Sequence, residues 1–173
     1  NTMPQRAPWF TKYIGDHDVW RYEYGEETAH FKLGLDALGV LRPVDPIWKD
    51  LYNIEKVKEM ISNGSIIEQY RNAMGKKACE LYGFEYNFMG YKAFCLNNCF
   101  GGSEWFVDLI KKYDLVCAFL NMNNESWEYS FYTDKDYVDV SKIATEFKDP
   151  GKLSGGGHKK AAGMQSKNFI FKK

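Results

Sequence analysis

The segment Gly155–Gly163, which reads GGGHKKAAG, has the residue types of a phosphate-binding site. Glycines have no Cβ, so their backbone N–H groups can turn towards an anion and let it approach closely. His158 can donate a hydrogen bond to a phosphoryl oxygen, and Lys159 and Lys160 add positive charge. The pattern predicts that these residues open a short helix, whose N-terminus adds unpaired N–H groups. The alternative interpretation is a glycine-rich turn with a solvated pair of lysines.

Two segments upstream of the glycines extend this pattern. Trp127–Thr133 has the composition of a strand, and Val138–Ala144, which reads VDVSKIA, has that of a helix start. In this order and spacing, the region resembles the substrate-binding domain of the DHH phosphoesterase superfamily, which closes with a GGGH-x-x-AAG signature. That superfamily contains single-strand exonucleases, nanoRNases, cyclic dinucleotide phosphodiesterases and exopolyphosphatases.

The resemblance implies which residues hold the substrate. They are the glycine loop, its histidine and first lysine, and one serine of the preceding strand: Gly155, Gly156, Gly157, His158, Lys159 and Ser130. One departure from the family pattern lies in that strand. Tyr132 occupies the position of the family's arginine, so one phosphate-binding cation is absent.

A second resemblance lies near the N-terminus. Tyr13–Arg21, which reads YIGDHDVWR, is similar to the segment that ends the catalytic domain in the nanoRNase-like branch. The resemblance implies that Asp16 is a metal ligand, with Asp18 as the second choice. Without the family, an Asp-x-Asp pair in a loop is equally typical of a helix N-cap and a surface charge.

The superfamily's other metal ligands have no counterpart in this sequence. An early Asp-x-Asp and the Asp-His-His triplet are absent, and the three histidines, His17, His30 and His158, are widely separated. Two-metal hydrolysis needs several converging ligands. We therefore expect the C-terminal portion of a longer enzyme, or a relic of one. Mn²⁺ or Mg²⁺ is expected in the intact enzyme and not tightly bound to this chain, and an upstream DHH catalytic domain is the expected partner.

Composition narrows the expected ligands and the compartment. The 173 residues are 45% hydrophobic and 17% aromatic, and 23 basic residues balance 23 acidic ones. Zero net charge argues against a nonspecific duplex-binding surface, whereas a short single-stranded oligonucleotide or a phosphorylated nucleotide needs only a local positive site. The spacing of Cys95 and Cys99 does not favour zinc. No signal peptide or membrane span is visible, so we predict a reduced, cytoplasmic protein without disulfides.

The predicted elements divide the chain into three parts. Residues 1–45 form the remnant of a catalytic domain, with a helix over Glu27–Leu38. Residues 46–83 form a helical linker of two helices, which the Asn63-Gly64 pair separates. Residues 84–173 form the substrate-binding domain.

The last part is predicted to be mostly strands. Glu85–Met89 and Tyr91–Asn97 flank Gly90 as a hairpin, and Leu115–Met122 pairs with Ser126–Thr133 across Asn123-Asn124. Helices are expected over residues 103–112 and over Val138–Phe147, capped by Asp139 or Ser141, with a final strand at Phe169–Phe171. The fold class is therefore α/β, a mixed β-sheet with flanking helices that follows a helical linker.

Three functions remain open at this stage. The first is the nucleotide- or phosphate-binding part of a DHH-family phosphoesterase. The second is a non-catalytic nucleotide-binding module, and the third is a structural or assembly domain. Asn97 and Asn98, at a strand end, are candidates for contacts to a base or sugar, or for a pair that caps a turn.

Overall fold

The protein has the predicted α/β fold, a mixed six-stranded sheet with flanking helices and an N-terminal helical region. The computed structural model describes residues 7–19, 21–39, 41–98 and 101–171. The chain divides into two compact units, Asn1–Arg71 and Asn72–Lys173. The three-part division at residues 45 and 83 stays a prediction. Trp20, a residue of the Tyr13–Arg21 motif, lies outside the described residues. So does Cys99, which was considered with Cys95 as a zinc ligand.

The first unit is helical. Its helices are α1 (Thr11–Asp18), α2 (Glu26–Asp36), α3 (Ile47–Asp50) and the first part of α4 (Ile54–Tyr82). One core cluster consists of Phe10, Tyr13, Phe31, Leu35, Leu51, Val57 and Met60. Asp16 and Asp18 lie within α1, so the alternative interpretation of these two residues as a pair in a loop was wrong.

Helix α4 runs without a break through Asn63-Gly64, so the prediction of two separate helices was wrong. A Cβ on Gly64 would lie 1.7 Å from the His30 carbonyl oxygen, and one on Gly34 would lie 2.2 Å from that of Met60. These two glycines let α2 and α4 approach until their backbones touch. Gly64 serves close packing and does not end a helix.

The second unit is built on the sheet. Its strands are β1 (Phe84–Phe88), β2 (Tyr91–Asn97), β3 (Leu115–Met122), β4 (Ser126–Tyr132), β5 (Lys152–His158) and β6 (Ala161–Ser166). Their order is β1-β2-β3-β4-β6-β5. Only the β2–β3 pairing is parallel, and the others are antiparallel. A 3-10 turn over Ser103–Phe106 leads into α5 (Val107–Lys112), and α6 spans Val140–Glu146.

Each face of the sheet carries its own core. Helix α6 covers one face, where Ile143 and Ala144 join Tyr129 and Phe131 of β4 in a cluster. The other face packs at its β2–β3 side against Cys79 of α4 and Phe106 of the 3-10 turn. Because side chains alternate along a strand, Ser130 and Tyr132 lie on this second face.

Several local predictions are confirmed. Met89 and Gly90 have φ values of 55° and 87° in the turn between β1 and β2, and Asn123 and Asn124 have 53° and 63° between β3 and β4. Asparagine and glycine tolerate this left-handed conformation. Asp139 caps α6, since its Oδ1 accepts hydrogen bonds from the backbone N–H groups of Ser141 and Lys142 at 3.1 and 3.2 Å.

Two predictions at the C-terminal end were wrong. No helix follows the glycines, because Lys152–His158 and Ala161–Ser166 form a hairpin with Lys159 and Lys160 at its turn. Phe169–Phe171 is not a strand. This segment is held instead by the Tyr129 hydroxyl, which donates to the Asn168 carbonyl at 2.9 Å and accepts from the Ile170 N–H at 3.1 Å.

We expect Tyr129→Phe to lower the free energy of unfolding by about 1–2 kcal/mol, because it leaves the Ile170 N–H and the Asn168 carbonyl without this partner. Tyr129 is 1% exposed, so water cannot easily replace its hydroxyl. Urea unfolding measures the change. The control is Tyr70→Phe at an exposed tyrosine, which we expect to change stability by less than about 0.5 kcal/mol. Equal stability of the two variants would show that the C-terminal segment is held by its aromatic side chains alone.

Within the described residues, no helix combines the length and the apolar character that crossing a membrane requires.

Candidate functional site

The hairpin of β5 and β6, which contains the glycines, lies at one end of the sheet. Gly163 of β6 pairs with Ser130 of β4 on one side and with Gly156 of β5 on the other. Directly paired residues in an antiparallel sheet share a face, so these three residues form one row on the face opposite α6. We call the outward-facing part of β4, β6 and β5 the glycine face.

Two of the three consecutive glycines are required by close contacts within the fold. A Cβ on Gly155 would lie 1.9 Å from the Ala144 carbonyl oxygen of α6. Gly157 has a φ of +146°, and its Cβ would lie 2.5 Å from the Ala162 Cα. These two glycines are required by the fold itself.

The packing of the fold does not require a glycine at position 156. A Cβ at this position would meet no atom within 4 Å, and its φ is outside the left-handed range. A Cβ on Gly163 would be 3.6 Å from the Tyr129 carbonyl oxygen, an ordinary contact. Glycine in a strand interior costs about 0.5–1 kcal/mol relative to alanine, and it marks places where a ligand or another backbone approaches closely. The glycine face therefore has a bare backbone floor that is open to the outside.

Side chains border this floor on two sides. The row towards the hairpin turn contains Tyr132, Ala161 and His158, and the row on the other side contains Glu128, Gln165 and Ser154. His158, Ser154 and Glu128 are exposed. Strand β5 is the last strand in the sheet order, so one side of its backbone has no strand partner. Exposed N–H groups of such an edge can donate to an anion.

The two lysines of the turn differ in their surroundings. Lys160 Nζ donates to the Asp134 carbonyl at 2.6 Å and to Asp136 Oδ1 at 2.8 Å. This hydrogen bond and charge lower the pKa of Asp136 below its usual value, and Lys159 adds a smaller contribution. Lys160 therefore stabilises the turn. Lys159 is exposed and is the lysine among the predicted phosphate-binding residues.

The turn is also fixed through its backbone. The Lys159 carbonyl accepts a hydrogen bond from the Val140 N–H, and the Lys160 carbonyl accepts one from the Thr133 N–H, both at 3.1 Å. His158 precedes the turn directly, so it sits on a rigid element. The expected helix N-terminus is missing, and any anion contacts must come from strand-edge N–H groups and side chains.

Tyr132 occupies the position expected for an arginine. Its ring is half-buried and lies 6.2 Å from the ring of Phe106, centroid to centroid. An aromatic ring provides a stacking surface and no positive charge. Positive charge on the glycine face is therefore concentrated at the hairpin end.

The other candidate ligand residues lie in the first unit. Asp16 is 2% exposed in α1, and its carboxylate accepts three hydrogen bonds. The donors are the Thr28 hydroxyl at 2.5 Å and the backbone N–H groups of Glu23 at 3.0 Å and Tyr24 at 3.3 Å. Burial alone would raise the pKa of Asp16, but the Thr28 hydroxyl and the two N–H groups outweigh it and lower that pKa.

Asp16 thus has a structural task, because it holds the chain between α1 and α2. Asp18 is the more accessible carboxylate, with a side chain 65% exposed and 4.0 Å from His17 Nδ1. Across the described ranges, no group of three or more His, Cys, Asp or Glu side chains is placed to hold a metal ion. The metal-ligand roles of Asp16 and Asp18 stay predictions.

Asn98 caps a turn: its Nδ2 donates to the Gly101 carbonyl at 2.8 Å, and its Oδ1 accepts from the Gly101 N–H at 3.1 Å. Cys79, Cys95 and Cys117 are buried free thiols, and burial raises the pKa of Cys95 to about 12. Such thiols are poorly reactive, because the thiolate is the reactive form.

Sequence reasoning missed Gly163, Gln165 and Glu128 as members of the same face. The alternation of β4, in which Ser130 and Glu128 are two residues apart, contained this signal. The partners across β6 could not be found without the register of the hairpin.

No family model matches the chain, and no curated protein matches it. Among solved structures, the chain is similar to one described as a member of the s1p family of ribosomal proteins, DHH domain, with a TM-score of 0.55 and 12% identity. The match covers 93% of this chain and 43% of that chain, so this chain spans less than half of its neighbour's length. The chain shares its fold with a part of a DHH-domain protein.

Proposed function

We propose that the chain is the substrate-binding part of a DHH-family phosphoesterase of the nanoRNase or single-strand exonuclease type. The observation that carries the proposal is Gly156, a strand glycine with open space where its side chain would be. Beside it, the exposed Lys159 supplies positive charge, and the exposed His158 supplies a hydrogen-bond donor for a phosphate.

The proposed ligand is a short single-stranded oligonucleotide or a phosphorylated nucleotide. Its phosphate would lie at the hairpin end, where His158 and the edge of β5 offer donors and Lys159 offers charge. The Ser130 hydroxyl lies in the same row as Gly156 and Gly163 and can donate to the ligand from the floor. Zero net charge fits a local site of this kind.

The contribution of this chain is positioning. Holding the far end of a substrate fixes the scissile phosphorus relative to the groups that cleave it. Asp16 does not fit the role of metal ligand in its present surroundings, because three protein donors already occupy its carboxylate. Mn²⁺ or Mg²⁺ therefore belongs to the proposal through ligands on an upstream DHH catalytic domain, and the exposed Asp18 is the remaining candidate ligand from this chain. A reduced, cytoplasmic setting is part of the proposal.

We expect His158→Ala to weaken the binding of a 5′-phosphorylated dinucleotide by about tenfold to a hundredfold, the range for losing a hydrogen bond to a charged group. Isothermal titration calorimetry on the whole chain measures this. The matched control is His30→Ala in the first unit, where the imidazole contacts Glu68 at 3.0 Å. Equal affinity of both variants and the unchanged protein would contradict the proposal.

The surroundings of Asp16 favour a second candidate, a non-catalytic nucleotide-binding module. Incubation with a dinucleotide and Mn²⁺ separates the two functions when the proposed longer protein, which includes the DHH catalytic domain, is tested alongside. A phosphoesterase part predicts hydrolysis by the longer protein and none by this chain. A binding module predicts hydrolysis by neither, with binding retained.

A further inference from the structure

Glu128 lies at the end of the glycine face that is remote from the histidine. It pairs with Gln165 of β6, which in turn pairs with Ser154 of β5. Ser130 and Gly163 lie two residues further along their strands, and Tyr132 and Ala161 lie two beyond those. The row that contains Glu128 and the row that contains His158 are thus four residues apart along the strands, or about 13 Å.

A small cavity adjoins this end. Its volume is about 160 Å³, and Glu128 and Ser130 line it together with Ala118 and Leu120 of β3. Leu120 is the cross-strand partner of Glu128, and Ala118 is that of Ser130. The cavity therefore continues the floor of the glycine face. Its polar side chains are the Glu128 carboxylate, the Ser130 hydroxyl and the Asn98 amide, and the amide already bonds to Gly101.

The carboxylate of Glu128 is not used by the fold. No hydrogen bond or ion pair joins it to any residue in the described part of the chain, whereas Gln165 Nε2 donates to Ser126 Oγ at 3.2 Å. An ionised carboxylate only accepts hydrogen bonds and repels phosphate. The glycine face is therefore asymmetric: cationic groups lie at the hairpin end, and an acceptor that disfavours anions lies at the other.

We propose that Glu128 is a specificity-determining residue that accepts hydrogen bonds from the 2′- and 3′-hydroxyls of a terminal ribose. Vicinal hydroxyls present two donors to the two carboxylate oxygens, and a carboxylate is the group that binds ribose hydroxyls in dinucleotide-binding folds. This inference rests on the proposed function. It adds a polarity, with the ligand's 5′-phosphate near His158 and its 3′-terminal ribose at Glu128.

The separation of the two ends sets the ligand length. Within one nucleotide, the 5′-phosphate and the hydroxyls are attached to the same sugar ring, whereas the two ends of the face are about 13 Å apart. A ligand that reaches both ends therefore has at least two nucleotides. Polyphosphate, which is anionic throughout, does not fit this face.

The test compares two probes by calorimetry on the whole chain. One is the 5′-phosphorylated dinucleotide of uridine, and the other is the same dinucleotide ending in 2′,3′-dideoxyribose. We expect the first to bind about tenfold more tightly, because the second lacks both donors to a charged acceptor. Glu128→Ala should remove this difference, and Glu128→Gln, which keeps the shape, should reduce it. Glu146→Gln, an exposed glutamate on α6, is the matched control and should preserve it.

The outcomes separate the two proposals. If the unchanged protein binds neither dinucleotide, the proposed function fails and this inference fails with it. If it binds both equally, or if Glu128→Ala preserves the preference, only the role of Glu128 is overturned. Tripolyphosphate bound as tightly as the uridine dinucleotide would also overturn it. Far-UV circular dichroism of each variant shows that the fold is retained.

Discussion

Gly156→Val is expected to fold normally and to lose binding of a 5′-phosphorylated dinucleotide by more than about a hundredfold. A valine side chain meets no protein atom at its Cβ, but it occupies the space above the backbone floor where the ligand is proposed to lie. Because a β-branched residue suits a strand better than glycine, stability should stay equal or rise by about 0.5–1 kcal/mol. Calorimetry gives the affinity, and urea unfolding gives the stability.

The neighbouring glycine provides the control for this variant. Gly155→Ala adds a Cβ 1.9 Å from the Ala144 carbonyl oxygen, a backbone atom that moves only if α6 moves. We expect a loss of about 3 kcal/mol or more in the free energy of unfolding, above the usual cost of overpacking because the clash is with backbone. Substitutions at these neighbouring glycines would then have different effects: Gly156→Val would weaken ligand binding, and Gly155→Ala would lower stability. If Gly156→Val binds as well as the unchanged protein, the open floor has no ligand.

Features with local causes could be predicted from the sequence. The hairpin turns at Gly90 and at Asn123-Asn124 depend on residues that tolerate positive φ, and the cap of α6 depends on the short side chain of Asp139. In each case the residue acts on the backbone within three positions of itself. The alternation of the strands and the α/β class followed from the same local signals.

The structural roles of glycines that contact other helices or strands were predicted wrongly. Gly64 was expected to break a helix, and the run Gly155–Gly157 was expected to open one. Gly64 is next to His30 of α2, and Gly155 is next to Ala144 of α6. The sequence shows that a glycine is present but not which distant backbone comes close to it. The function of such a residue depends on tertiary contacts that no window of neighbouring residues contains.

The candidate site was predictable only on the strands that carry its motifs. Ser130 and His158 were expected to contribute, and the register of β4, β6 and β5 brings them to one face. Glu128 was not expected, because a glutamate in an alternating strand is typical of an exposed surface. Only the three-dimensional structure shows the cavity beside it and the lack of a hydrogen-bond partner for its carboxylate among the described residues.

Thr28→Val is expected to destabilise the protein by about 1.5–3 kcal/mol at pH 7, the range for a hydrogen bond to a charged group. Thr28 is fully buried, and its hydroxyl donates to Asp16 Oδ2 at 2.5 Å. Valine keeps the shape and removes the donor, so a buried carboxylate oxygen loses its side-chain partner. Thr145→Val on α6 is the control, because the Thr145 hydroxyl is exposed and donates to the neutral Ser141 carbonyl.

The pH dependence of this loss identifies the carboxylate as its cause. Hydrogen bonds lower the pKa of Asp16 in the folded state, so its contribution is present above the unfolded value of about 3.9 and is lost as pH falls through the folded pKa. The stability difference between the unchanged protein and Thr28→Val should therefore be constant well above the unfolded pKa of about 3.9 and shrink at lower pH, as the carboxyl becomes protonated in the folded state. The effect of Thr145→Val should be constant over this range. A constant difference for Thr28→Val as well would mean that Asp16 does not hold its charge against these donors, and its carboxylate would again be a candidate for binding a metal ion.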